Sequence, residues 1–180
     1  MKYRELGNTG LKVSEIGLGC EGFSEDEYRN TKRLFDEAER QGINYFDLYA
    51  SDPKVRASVG DALEGRREKF IIQSHLCSIW KNGQYKRSRN IDEVRAGMLS
   101  LLKTDYIDVG MIHYVDSLAD WKEIADGPVL AYAKELKEKG VIRHIGLSSH
   151  NPQVALEAVK SGNIEVLMFS VNPCYDLQPA

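Results

Sequence analysis

Short β-branched apolar runs alternate along this chain with longer stretches whose apolar residues recur at helical spacing. From about Glu15 onward the runs are Ile16-Gly17-Leu18-Gly19, Tyr45-Phe46-Asp47, Phe70-Ile71-Ile72-Gln73, Tyr106 to His113, Arg143 to Ser148 and Val166 to Val171, predicting six strands. Strands in alternation with amphipathic helices are the pattern of βαβ units around a parallel sheet.

The helices mark their own ends. Ser24 with Glu27 predicts a capping box, Tyr28, Leu34, Phe35 and Ala38 share an apolar face, and Gly42 stands where a C-terminal cap belongs. Pro128 suits a first helical turn, Val129, Tyr132, Ala133 and Leu136 share a face, and Gly140 stops it. Asn151-Pro152 and Gly162 bracket Val154 to Val159 in the same way, and further helices are expected near 53–63 and 91–102. At the start, Tyr3 to Leu6 and Leu11 to Val13 flank the turn composition Gly7-Asn8-Thr9-Gly10. Residues 1–14 are therefore expected to form a hairpin ahead of the β/α units, in a single domain spanning 1–180, one that closes the bottom where those units make a partial barrel. Residues 75–90 show no clear periodicity and read as one long loop.

Six β/α units in series fit an incomplete (β/α)8 TIM barrel or an open doubly wound sheet. No Gly-x-Gly-x-x-Gly follows any strand, and Gly17-Leu18-Gly19 lacks the third glycine, so a dinucleotide cradle of the Rossmann kind is not supported.

Charge narrows the partners. The 24 basic and 27 acidic residues leave a net charge of −3 and are mixed along the chain, so neither nucleic acid nor an anionic membrane surface is implied. Lys86-Arg87-Ser88-Arg89 is the densest basic spot, either a solvated loop or a contact for a ligand phosphate. No apolar stretch approaches the roughly 20 residues of a spanning helix, and the N-terminus lacks a signal-peptide core, so a soluble cytoplasmic protein is the expectation. Cys20, Cys77 and Cys174, an odd and widely spaced set, read as reduced thiols.

In a parallel barrel the chemistry sits at the C-terminal ends of the strands. Cys20 and Glu21 follow the first strand, Asp47, Tyr49 and Asp52 the second, and Ser74 and His75 the third. His113 and Asp116 follow the fourth, Ser148, Ser149, His150 and Asn151 the fifth, and Ser170 and Asn172 the sixth. One such residue is commonly a cap or a satisfied core group. Polar residues on successive strand ends predict a shared rim of titratable groups, suited to proton transfer.

The segments Tyr3 to Ser14, Gly17-Leu18-Gly19, Gly42-Ile43-Asn44-Tyr45-Phe46-Asp47, Asp105-Tyr106-Ile107-Asp108 and Ile142 to Ser148 resemble the aldo-keto reductase family, nearly end to end. The resemblance implies a (β/α)8 barrel that binds NADPH across its C-terminal rim, with an Asp, Tyr, Lys and His tetrad around a small carbonyl substrate. Asp47 then matches the family aspartate and His113 the family histidine. Asp52 stands in place of the tyrosine and His75 in place of the lysine. The family's phenol, made acidic by the ammonium beside it, is thus missing, and Tyr49, His75 or Asp52 is left to handle the proton. Ser148 matches the serine that binds the nicotinamide carboxamide; Ser149, Ser170 and Asn172 complete the expected cofactor side. In the family the phosphate contacts come from the seventh and eighth units, so NADPH binding by six units is expected to be weak.

Residues 65–75, 82–85 and 111–116 look more like a branch whose members carry a C-terminal iron-sulfur region; such a cluster is expected only outside this chain. A six-unit truncated barrel would leave its edge strands open, and a homodimer completing that edge is one expectation. The function implied is an NADP(H)-dependent oxidoreductase with an altered tetrad; the alternative is an inactive barrel serving as a binding or interaction module.

Overall fold

The computed structural model describes residues 1–23, 28–95, 99 and 101–172. It opens with an antiparallel hairpin, β1 (Tyr3–Glu5) against β2 (Lys12–Ser14). Then come β3 (Leu18–Gly19), α1 (Tyr28–Gln41), β4 (Tyr45–Leu48), α2 (Pro53–Leu63) and β5 (Ile71–Leu76). A second antiparallel hairpin, β6 (Ser78–Lys81) with β7 (Gln84–Arg87), precedes α3 (Ile91–Arg95) and β8 (Ile107–Ile112). The chain continues through α4 (Leu118–Asp126), α5 (Pro128–Glu138), β9 (Ile142–Ser149), α6 (Pro152–Lys160) and β10 (Val166–Phe169).

The sheet order is β3-β4-β5-β8-β9-β10, every pair parallel, so each strand lies beside its predecessor as in a barrel. It is a curled half-barrel of six strands. Gln73 on β5 and Met168 on β10 stand three strands apart, yet Nε2 of one reaches Sδ of the other at 3.4 Å, which requires the sheet to bend into a trough.

Strand pleating sorts the side chains. On β4, Phe46 and Leu48 point to the helices and are fully buried, Phe46 stacked on Phe35 of α1 at 4.4 Å between ring centroids. Tyr45 and Asp47 face the trough. Inside it, Leu6 and Leu11 of the first hairpin pack with Val109, Met111 and Val166. Between the open edges, β3 and β10, lies a cavity of about 750 Å³.

Local signals explain the helix ends. Asp52 caps α2 and Asn151 caps α6, each followed by a proline at the first helical position, and Pro128 opens α5.

Two elements differ from expectation. Residues 75–90 are not a loop but largely the β6–β7 hairpin. Asn82 (φ 55°) and Gly83 (φ 75°) form its two-residue turn with both centres left-handed, a geometry that Asn-Gly favours. Four-residue strands, β7 exposed throughout and β6 burying only the adjacent Ser78 and Ile79, carry too little alternation to reveal themselves. Helix α4 also goes beyond the sequence pattern: Ser117 accepts from the Asp120 amide, and only Trp121 and Ile124 are buried, too few to show a period. The Ser24–Glu27 capping box lies outside the described residues.

Candidate active site

The C-terminal ends of β4, β5 and β8 bring Asp47, His75 and His113 to one mouth of the trough. Asp47 Oδ1 accepts from Gln73 Nε2 at 2.6 Å, and Gln73 Oε1 accepts from the Tyr45 hydroxyl at 2.5 Å. The same carboxylate oxygen lies 2.9 Å from His75 Nε2. His75 Nδ1 meets His113 Nδ1 at 2.8 Å, and His113 Nε2 meets the Tyr85 hydroxyl at 2.6 Å. One continuous chain of hydrogen bonds therefore runs from Asp47 through both imidazoles to Tyr85.

Tautomers follow from the acceptor at its end. A carboxylate only accepts, so His75 donates from Nε2; with both rings neutral, His113 donates from Nδ1 to His75 and Tyr85 donates to His113 Nε2. Burial holds the His113 imidazole down to about 3, with repulsion from a protonated His75 and from Arg89 adding to the shift and Asp47 opposing it. His113 is accordingly neutral near pH 7.

The rest of the rim is held by its own contacts. Arg89 makes two hydrogen bonds to the Asp120 carboxylate, at 3.0 and 2.8 Å, and donates to the carbonyls of His113 and Tyr114. Ser148 Oγ accepts from the Tyr114 amide at 2.8 Å. Clamped on both sides, Tyr114 keeps a left-handed backbone (φ 56°) unusual for an aromatic residue, with Arg87 over its ring. The basic cluster thus includes structural ties at Arg87 and Arg89.

A cavity of about 330 Å³ opens here, lined by Asp47, Tyr49, His75, Tyr85, His113, Tyr114, Ser148, Ser149, His150, Met168 and Ser170. That is the small end of ligand sites, room for the reacting end of a cofactor with a small substrate but not a whole dinucleotide. Ser148 keeps its own hydroxyl hydrogen to donate, and Ser170 is a second rim hydroxyl. These neutral donors suit an amide such as the carboxamide of a nicotinamide.

Of the residues expected from sequence, Asp47, His75, His113, Tyr49, Ser148, Ser149 and Ser170 meet at this cavity. Tyr49 lies parallel to His113 (4°, centroids 5.8 Å apart), and its hydroxyl donates to Glu21. Burial, then that carboxylate, push the Tyr49 phenol up. Ser149 is buried, its hydroxyl directed at Asp116 Oδ1 and the Asn151 carbonyl. Asp52 lies outside the lining, its Oδ1 accepting from the Lys54 amide at 2.8 Å, and Asn172 is exposed beyond β10. Sequence reasoning missed Tyr85 as a site residue. The signal was Asn82-Gly83: a two-residue turn there sets Tyr85 opposite Trp80 and fixes the hairpin that carries it.

Cys20 and Cys77 are buried, and burial pushes both thiols up, so they remain protonated. Cys174 lies outside the described residues. Among the described residues no group of three or more His, Cys, Asp or Glu side chains is disposed to hold a metal ion, and no helix is long and apolar enough to cross a membrane.

Parallel β/α order and a polar rim at the strand C-termini define a protein of the barrel class, the rim lying on the face where such proteins keep their chemistry. The sequence profile of the aldo/keto reductase family matches residues 15–177, and the chain belongs to that family. It is 34% identical to the uncharacterized oxidoreductase YqkF of Bacillus subtilis, over 99% of this chain and 58% of that protein. It is 28% identical to the NAD(P)H-dependent D-xylose reductase of Scheffersomyces stipitis, over 91% of this chain and 57% of the relative. The solved structure of the holo form of aldo-keto reductase AKR11C1 from Bacillus halodurans superposes with a TM-score of 0.79 at 31% identity, covering 95% of this chain and 58% of that one. The chain thus spans little more than half the length of these relatives.

Proposed function

We propose that this chain forms the catalytic rim of an NADP(H)-dependent oxidoreductase acting on a small carbonyl or related substrate. The observation that carries the reading is the Asp47–His75–His113 hydrogen-bond chain opening on a cavity whose other walls offer neutral hydroxyls. Family membership and a relative named for its NAD(P)H dependence support it.

A reduced nicotinamide, when bound, supplies the hydride that reaches the carbonyl carbon. The protein's part is to hold and to protonate. Ser148 and Ser170 would hold the carboxamide by donated hydrogen bonds, and Ser149, directed at Asp116 and the Asn151 carbonyl, fixes the strand end beneath them. Asp47 keeps His75 oriented, and neutral His113 is placed to polarise the substrate oxygen. Met168 and Tyr114 add apolar surface to the cavity wall.

Titration with NADPH tests the reading through the emission of Trp80, at 39% exposure on the rim hairpin. Quenching that saturates is expected, with affinity falling about tenfold in Ser148→Ala as one donated hydrogen bond is lost. At NADPH concentrations high enough to fill a weak site, no saturable change in the 180-residue chain, together with no NADPH oxidation with any of a panel of aldehydes and ketones, would count against it.

A further inference from the structure

The family's phenol is missing from its usual place, yet the hydrogen-bond chain ends on a phenol delivered by another element. We propose that Tyr85 is the catalytic acid of this site, giving its proton to the substrate oxygen and being resupplied from His75 through His113. The inference rests on the reductase reading above and supplies the proton donor that reading lacks.

Geometry selects Tyr85 over the alternatives. The Tyr49 hydroxyl is turned to Glu21, and the Asp52 carboxylate caps a helix outside the cavity. Tyr85 lines the cavity, keeps 43% of its surface exposed, and holds His113 Nε2 at 2.6 Å. Its neighbours in the chain are equally close, 2.8 Å between the imidazoles and 2.9 Å from His75 to Asp47, so each proton has one short step to make.

In the loaded state His75 is the imidazolium, donating from Nε2 to Asp47 and from Nδ1 to His113 Nδ1. His113 then donates from Nε2 to the Tyr85 oxygen, and the Tyr85 O–H points into the cavity. As the hydride's electron pair forms the new C–H bond and the carbonyl π bond breaks onto oxygen, the Tyr85 proton leaves to form the alcohol O–H. The His113 Nε2 proton moves to Tyr85, and the His75 Nδ1 proton moves to His113. Three protons shift one place each, the reduced nicotinamide is the electron donor, and His75 ends neutral.

The electrostatics suit these roles. A ring held neutral down to about 3 hands a proton on without storing it. Burial raises the Tyr85 phenol, against the pull of Arg87 and Arg89, so a tyrosinate is not left standing and replacement from His113 keeps pace with donation. Asp47, 2.9 Å from His75 Nε2, stands where a counter-ion to the His75 ring belongs.

Tyr85→Phe in the 180-residue chain removes one hydroxyl and keeps the ring. The expected result is a kcat lower by about 100-fold or more, with KM and NADPH affinity within about twofold. Nitrogen-15 spectra of the histidine rings, recorded where both rings are neutral and Tyr85 donates to His113 Nε2, give a readout independent of turnover: the His113 Nε2 resonance moves toward the value of a free unprotonated nitrogen in Tyr85→Phe, while His75 Nε2 keeps the proton it donates to Asp47. An unchanged kcat, or no movement of the His113 resonance, overturns the role of Tyr85 and leaves the reductase reading standing. A parent chain that neither binds NADPH nor reduces a carbonyl overturns the reductase reading, and the catalytic role of Tyr85 with it.

Discussion

Asp47, His75 and His113 were legible because strand alternation decides which side of a parallel sheet a residue faces, and all three sit at the trough-facing parity of their strand ends. Asp52 was not, because a carboxylate ahead of a proline serves equally as a helix cap, and only the fold decides. His113 also makes a prediction about stability. Its folded-state value lies near 3 against an ordinary 6.5, so its contribution is fully present above about pH 6.5 and is lost as the pH falls toward 3, because the unfolded chain takes up the proton first. Near pH 5 this amounts to about 2 kcal/mol. Urea unfolding of His113→Gln should accordingly fall less steeply between pH 7 and pH 5 than that of the parent chain, by about that amount; parallel curves would show that His113 is not held neutral.

Helices and strands were readable in proportion to how much surface they bury. Val129, Leu130, Ala133 and Leu136 anchor α5, and Val154, Ala155 and Ala158 anchor α6, each on a regular face. The β6–β7 hairpin and α4 bury too little to leave a period and were missed; only the Asn82-Gly83 turn and the Ser117 cap could have revealed them. Close contacts between elements are not written in periodicity either. Gly60 of α2 lies against the backbone of Leu101 and Leu102: a Cβ there would come within 2.2 Å of the Leu101 carbonyl oxygen. Backbone cannot rotate away as a flexible side chain would, so Gly60→Ala is expected to destabilise by about 1–3 kcal/mol despite the better helix propensity of alanine. Chemical denaturation measures this directly, and a neutral or stabilising result would mean that the 101–102 segment gives way.

At the scale of the whole molecule, parallel β/α order followed from the alternation of apolar runs and helical stretches, which left a barrel and an open doubly wound sheet both standing; the barrel came from the resemblance to the aldo-keto reductase family. The degree of curl was not legible, because it depends on how Gln73, Met168 and the Leu6–Leu11 hairpin fill the trough. Among the described residues β3 and β10 each pair on one side only, and Leu167 and Met168 on β10 are 40% and 41% exposed. An apolar strand edge with unpaired backbone groups invites another strand. In the 180-residue chain this predicts concentration-dependent self-association in sedimentation experiments, reduced in Leu167→Lys, where a charge opposes edge pairing; a chain that stays monomeric at all concentrations would contradict it.

The arm Ser78–Arg87 pairs with itself and not with the six-stranded sheet, yet it brings Tyr85 over the cavity from outside the barrel wall. A scaffold built in this way separates inheritance of shape from inheritance of acidity. Substituting a short rim segment can install, remove or retune the acid while every residue that closes the wall stays as it was.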